Sequence, residues 1–396
     1  NSSFVLLVST IVPIYFNYLA EKADLSSVDY LAFWGYTASL VTIIVAFLGP
    51  VLGTVADTKD YKKPLFTMML LIGCIGCFLL GFINYWFVFL IVFLIAKIGF
   101  SGSLIFYDSM LIDVTTPKRV DHVSSQGYAW GYIGSCIPFV ICLLLILNGS
   151  KFGLSGYVAG IIAFIIVALW WLGCTLPLLK SYEQKYYSVE SESKSFSSMV
   201  KGVIKTITKA KDNKPMWMFM LAYFFYIDGV YTIIELATSY GKDVGIGDTD
   251  LLLALLLTQI IAFPFALLFG YLSKKIKTRK LIEFSVIGYI LIVLFALQLD
   301  KAWEFWFLAV CVAVFQGAIQ ALSRSYFSRL VPKENSNEFF GIFDIFGKGA
   351  AFTGTLLMGV ITQITNSSKI GVGALLILLV VGLVLLIKVP HSSADL

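Results

Sequence analysis

Two charges lie well inside long apolar runs of this 396-residue chain, Lys97 and Asp228. A charge at bilayer depth is costly and by default marks function or a pairing partner. These two therefore either hold a charged ligand or neutralise each other. Gln316 and Gln320 stand one helical turn apart near the middle of another apolar run and offer amide donors and acceptors on one face. Asp344 and Lys348 have the i, i+4 spacing of a local helical ion pair. Asp108 and Arg324 lie nearer the ends of their runs, where gating or loop contacts are expected. Tyr128, Trp130 and Tyr132 alternate along one run and read as packing residues. No residue set suggests covalent catalysis. No GxxxxGK[ST] phosphate loop occurs, which argues against ATP as the energy source. Cys74 and Cys77 form a CxxC, but without a second pair or a nearby histidine they read as small apolar packing residues. With only His122 and His391 in the chain, neither a histidine metal site nor a cofactor is expected.

A second group of charges belongs to a repeat. The stretch Gly53-Thr54-Val55-Ala56-Asp57, continuing to Lys62-Lys63-Pro64, lies between two apolar runs. Its echo, 217 residues later, runs from Gly270 through Lys274 to Arg279-Lys280-Leu281. Both keep a glycine, three residues, a charged position, then a basic pair five and six residues on. In the first copy the glycine allows close helix packing, and the Asp57 carboxylate can bind a neighbouring helix N-terminus or an arginine. Lys62 and Lys63 hold the loop on the cytoplasmic side. An internal repeat near half the chain length points to a membrane transporter built from two related halves.

These residues must be positioned by membrane helices. Apolar residues make up 59 % of the chain and charged ones 13 %, against about 45–50 % and about 25 % in soluble domains. The apolar residues fall in blocks of bilayer length, and the pattern predicts twelve spans: 1–20, 30–56, 64–83, 86–112, 122–147, 154–179, 215–240, 249–273, 279–298, 303–330, 338–363 and 370–389. The even-numbered connections carry 21 Lys and Arg and the odd-numbered ones 5, so the positive-inside rule puts both termini in the cytoplasm. The net charge of +5 does not point to nucleic acid, since the basic residues lie in loops. Residues 1–180 and 214–390 are expected as two six-helix bundles, joined by a polar linker at 181–213 and followed by a tail at 391–396. Lysines between apolar residues at 196–205 suit a short surface helix, or a plain flexible linker. The chain opens at Asn1 within an apolar run, so the first turns of span one are expected to be missing.

The repeated loop resembles the signature of the major facilitator superfamily, with Tyr61 in place of its first basic residue and Asp60 in place of a glycine. Longer stretches are similar to one subgroup: Phe106–Leu111, Val123–Gly134, Tyr223–Ile233, Gln316–Ser325, Phe339-Phe340-Gly341 and Gly347-Lys348. That subgroup is the autophagy-linked vacuolar effluxers and their bacterial relatives, and the likeness covers essentially the whole chain. Asn1-Ser2-Ser3-Phe4 resembles the end of an Asp-Trp-Ala-Asn-Ser motif in span one, which implies an acidic residue before Asn1.

The resemblance implies an all-α integral membrane protein with twelve helices in two pseudo-repeat bundles. Spans one, four, seven and ten would line a central cavity and bring Lys97, Asp228, Gln316, Gln320 and Tyr226 around one site. Lys97 and Asp228 would match the carboxylate and ammonium of an amino acid, or form a salt bridge between the halves. A conformational latch carries over to Asp57 and not to Lys274. The implied function is secondary transport of a small organic solute, amino acids first, by alternating access, with Asp228 the candidate for proton coupling. The rivals are export of another organic or lipophilic solute and, outside transporters, a channel. The expected partners are the solute and the bilayer, with the protein a monomer in the plasma membrane of a bacterium or the vacuolar membrane of a fungus.

Overall fold

The computed structural model of the protein describes residues 2–188, 208, 211–243, 245–390 and 392. The expected surface helix at 196–205 lies outside them. The described residues form twelve long helices in two sets. The first set is α1 (Ser2–Glu21), α2 (Ser27–Ala56), α3 (Lys62–Leu80), α4 (Trp86–Val114), α5 (Val120–Asn148) and α6 (Gly156–Ser181). The second is α7 (Lys214–Asp243), α8 (Asp248–Leu272), α9 (Thr278–Ala296), α10 (Ala302–Leu330), α11 (Ser336–Thr365) and α12 (Ser368–Ile387). Among the described residues, ten helices are long and apolar enough to cross a membrane. The two outside that count are α9, which carries Arg279, Lys280 and Glu283, and α11, which carries Glu338, Asp344 and Lys348.

Each set has its own core. One cluster joins residues from Phe4 to Tyr182, and the other residues from Met216 to Val389 together with Ile112. The free thiols Cys74 and Cys77 pack in the first core, where Cys77 donates to the Phe164 carbonyl at 3.7 Å. Large apolar side chains such as Phe47, Leu291 and Ile364 are exposed, as on helices that face lipid.

The sets meet most extensively at two crossings, α2 with α11 and α5 with α8, with further contact of α5 with α10 and of α4 with α11. The repeated glycines make both crossings close. A Cβ on Gly53 would lie 2.5 Å from the Asn337 carbonyl oxygen, and one on Gly270 would lie 2.6 Å from the Ser125 Cβ. Small residues at the α5–α8 seam, Ala129, Ala262 and Ala266, extend the approach. The turn after α2 needs a left-handed residue, and Asp60 supplies it with φ +66°. Aspartate enters that region more readily than most residues, which explains how it stands where the family pattern has glycine.

Candidate functional site

Polar groups join the two sets at the end that carries the basic loops. Asp57 follows α2 and its carboxylate reaches the first turn of α11. Oδ1 accepts from the Asn337 backbone N–H at 2.9 Å and from Asn337 Nδ2 at 2.7 Å, and Oδ2 accepts from the Glu338 N–H at 3.0 Å. The first backbone N–H groups of a helix have no partner within it. Asn335, the residue that precedes α11, gives no side-chain cap, so a residue of the opposite set caps the helix and answers its positive end. Burial pushes the Asp57 carboxyl up, to about 7, against the pull of the Asn337 and Glu338 donors and of Lys62.

Lys62 and Lys63 take different roles. The Lys62 ammonium is fully buried, 2.7 Å from Asp113 Oδ2 and 3.4 Å from the Ser336 hydroxyl of the second set. Lys63 stays with its own set and donates to the Tyr182 carbonyl at 3.4 Å. Ser109 and Asn337 are joined by a short side-chain hydrogen bond.

A second cluster lies at the α4, α5 and α10 ends. Arg324 donates to Asp108 Oδ1 at 2.7 Å, to the Ser124 hydroxyl at 3.0 Å and to the Ser124 carbonyl at 3.2 Å. Its guanidinium lies over the rings of Tyr128 and Tyr107, at 4.7 and 5.6 Å. A third cluster centres on Asp121, which accepts from Thr278 at 2.7 Å, from Ser325 at 2.5 Å and from Arg329.

The residues within the spans are arranged differently from the sequence expectation. Asp228 does not present its carboxylate to Lys97. Oδ1 accepts from the Gly354 N–H at 2.7 Å and the Thr232 hydroxyl at 3.4 Å, and Oδ2 is buried without a hydrogen-bond partner. The side chain is wedged between α7 and α11, where glycine at 354 lets the backbone come close. Glu235, two helical turns along α7 from Asp228, is an acid within electrostatic reach of Lys97. Lys97 also lies over the Phe100 ring at 5.2 Å. Glu235 was legible from the rule that an acid within a span marks a site, applied once more along the same helix.

Tyr226 leaves the set of ligand-contact candidates. It is fully buried in the second core, and its hydroxyl pairs with Ser323 at 2.6 Å. Gln320 accepts from the Tyr132 hydroxyl at 3.2 Å, across the seam between the sets. Gln316 lines a cavity of ≈ 100 Å³ inside the second set, with Thr232, Thr258 and Gln259 among apolar neighbours, and its Oε1 has no partner. The charge of Asp344 reaches Tyr231 on α7. The i, i+4 pairing expected for it falls on the Lys348 side chain, which lies outside the described residues. Asp113, Asp121, Ser109, Ser124 and Asn337 were not singled out from sequence, since each sits at a helix end where a polar residue reads as solvated. Among the described residues no cluster has metal-ligand character.

Comparisons with known proteins bear on this arrangement. A family model described as "Vacuole effluxer Atg22 like" matches residues 22–118 and 112–395. The "Uncharacterized MFS-type transporter YxiO" of Bacillus subtilis is 40 % identical over 399 residues, covering 100 % of this chain and 93 % of that protein. Autophagy-related protein 22-1 of Aspergillus niger is 25 % identical over 303 residues, covering 70 % of this chain and 49 % of that protein, so the match spans about half the fungal relative's length. Among solved structures, the major facilitator superfamily transporter FucP in the outward conformation superposes with a TM-score of 0.73 at 12 % identity, covering 99 % of this chain and 100 % of that one. The proton:xylose symporter XylE superposes with a TM-score of 0.70 at 12 % identity, covering 100 % and 96 %. At such identities the likeness is one of fold.

Proposed function

The chain belongs to the Vacuole effluxer Atg22 like family of major facilitator transporters, membrane proteins and not enzymes, and from that premise we propose that it moves amino acids across a membrane by alternating access. The observation that carries this reading is that Lys97 on α4 and Glu235 on α7 lie within electrostatic reach of each other. One comes from each set, and both lie within the spans, farther from the basic-loop ends than the polar gate. An amino acid presents a carboxylate to a cation and an ammonium to an anion, and this pair offers one of each. Glu235 takes the place first assigned to Asp228.

In this reading α9 and α11 also cross the membrane, giving twelve spans in two six-helix units, residues 1–180 and 214–390. The linker and both termini lie on the cytoplasmic side, and the working unit is a monomer. The family description "Vacuole effluxer" suggests movement out of the compartment on the side opposite the basic loops. The gate contacts close the basic-loop end, and transport requires them to break and the opposite end to close in turn. Asp228 supports proton coupling as an accompanying reading, because Oδ2 is a buried carboxylate oxygen left without a donor.

Reconstituted vesicles loaded with a radiolabelled amino-acid mixture test the proposal by counterflow. The wild type should exchange label, and Lys97→Met and Glu235→Gln should each abolish exchange while the unliganded melting temperature stays near wild type. If each single change instead destabilises the protein and the double change restores it, the pair is a structural bridge and the substrate site lies elsewhere. Exchange of sugars or nucleosides, with none of amino acids, would replace the substrate class and leave the transport reading in place.

A further inference from the structure

The segment that follows α6, residues 182–188, does not leave the first set as free chain. It runs beneath the turn that holds Asp57 and binds four of its backbone groups, the carbonyls of Ala56, Asp57 and Thr58 and the N–H of Lys62. Gln184 lies at its centre. Its Nε2 donates to the Ala56 carbonyl at 3.1 Å and the Thr58 carbonyl at 3.2 Å, and its Oε1 accepts from the Lys62 N–H at 3.4 Å. The Ser188 N–H donates to the Asp57 carbonyl at 2.7 Å, which pairs Thr58 with Ser188 in an isolated parallel bridge. The last carbonyls of a helix have no partner within it, and the segment supplies one for the Ala56 carbonyl at the end of α2.

The same segment is anchored from below. Asp113, at the end of α4, accepts four donors on one buried carboxylate. Oδ2 takes the Tyr182 hydroxyl at 2.6 Å and the Lys62 ammonium at 2.7 Å, and Oδ1 takes the N–H groups of Lys185 at 3.0 Å and Tyr186 at 3.1 Å. A carboxylate with every lone-pair direction occupied is a rigid post. Tyr186 then reaches the other set: Lys333, just before α11, places its ammonium 4.7 Å from the ring centroid and 3.4 Å from the hydroxyl. The segment thus grips the Asp57 turn with its backbone and Gln184, and touches the second set with Tyr186.

We propose that residues 182–188 are a positioning strap for the gate. The strap fixes the turn so that Asp57 is aimed at the N-terminus of α11, and its Tyr186–Lys333 contact exists only while the basic-loop end is closed. The start of the linker is therefore part of the gate, and it sets how much of the time that end stays shut. Gln184 and Tyr186 are positioning residues, and the proposal rests on the gate reading above.

The test uses the full chain in lipid, with Cys174→Ser and Cys311→Ala as background and spin labels at the exposed Lys118 and Lys275 positions, on opposite sets and away from the strap. The inter-label distance distribution is recorded as a function of pH. Gln184→Ala should lower the closed-to-open ratio roughly tenfold, the scale of losing hydrogen bonds to three backbone groups. It should also move the midpoint of the pH response below 7, because a loosened turn returns the Asp57 carboxyl to water. Gln184→Glu, which keeps the acceptor and loses the donor, should act in the same direction. Tyr186→Leu should lower the ratio and leave the midpoint where it is. A melting temperature near wild type in either Gln184 variant shows that the fold is intact, and Gln184→Glu serves if Gln184→Ala does not fold. If both Gln184 variants match wild type in ratio and midpoint while Asp57→Ala opens the gate, the strap is passive chain and the gate reading stands. If Asp57→Ala also leaves the distribution unchanged, the gate reading fails and the strap with it.

Discussion

Gly53 and Gly270 each allow a helix of one set to lie against a helix of the other, yet the carboxylate that closes each crossing comes from a different place. At the α2–α11 crossing it is Asp57, within the repeated loop itself. At the α5–α8 crossing the corresponding loop position is Lys274, exposed and beside the Tyr271 ring. There the acid is Asp121 of the opposite set, and it accepts from Thr278 within the echo loop. Asp108, which receives Arg324, also belongs to the first set. All three of these carboxylates are in the first set and their donors in the second. The repeat preserves the backbone approach, and these three carboxylate contacts share one polarity, while Lys62, Ser109 and Tyr132 of the first set donate the other way. Such complementarity favours the pairing of unlike sets and disfavours like ones.

The largest effect is expected at Asp121. Asp121→Ala removes the carboxylate shared by Arg329, Thr278 and Ser325, and a buried ion pair that loses one partner costs about 3–5 kcal/mol. A large fall in melting temperature is expected, measured by thermal unfolding of the purified protein. Asp57→Ala removes acceptors from three N–H groups but strands no cation, so about 1–3 kcal/mol is expected. Its signature is a shift toward the open gate with a smaller loss of melting temperature. Equal effects at the two sites would mean that the asymmetry between the crossings carries no energetic weight.

A pH titration sharpens the contrast. In the closed gate burial raises the Asp57 carboxyl to about 7, whereas in water an aspartate titrates near 4. The closed state therefore binds the proton more tightly. Closure should become more favourable as pH falls through about 7 and level off below about 4. Asp57→Asn keeps one acceptor oxygen and cannot titrate, so its gate equilibrium should be flat over that range. The smallest effect belongs to Lys274→Ala. Its side chain is exposed beside the Tyr271 ring at the end of α8, so gate equilibrium and melting temperature should both stay within error of wild type.

How far these features could be read from the chain depends on where each residue sits. The long helices were legible because apolar blocks of bilayer length admit few other readings. Asp57 was legible because its loop is repeated, and repetition marks a position as structural. Its target was not, since nothing in the run Ser336-Asn337-Glu338 announces a helix start that lacks a cap of its own. Asp113 and Asp121 stand at helix ends, where an aspartate in sequence looks the same whether it meets water or a second helix. For Lys97 and Asp228, expected either to hold a ligand or to bridge the sets, the sequence left the depth along α7 open. Asp228 and Glu235, seven residues apart, share a face of that helix. Asp228 Oδ1 is taken by the Gly354 N–H of α11, and the Glu235 carboxylate lies within electrostatic reach of Lys97.

A transporter of this fold requires that the polar contacts between the sets form a gate that opens. Double electron–electron resonance between labels at positions 118 and 275, in lipid vesicles, tests it directly. Two distance populations are expected, the shorter matching the structure described here. Asp57→Ala should enrich the longer one, and saturating amino acids should redistribute the two. A single short distance, unchanged by the substitution and by every amino acid tried, would show that the two sets are fixed to each other and would contradict alternating access in this protein.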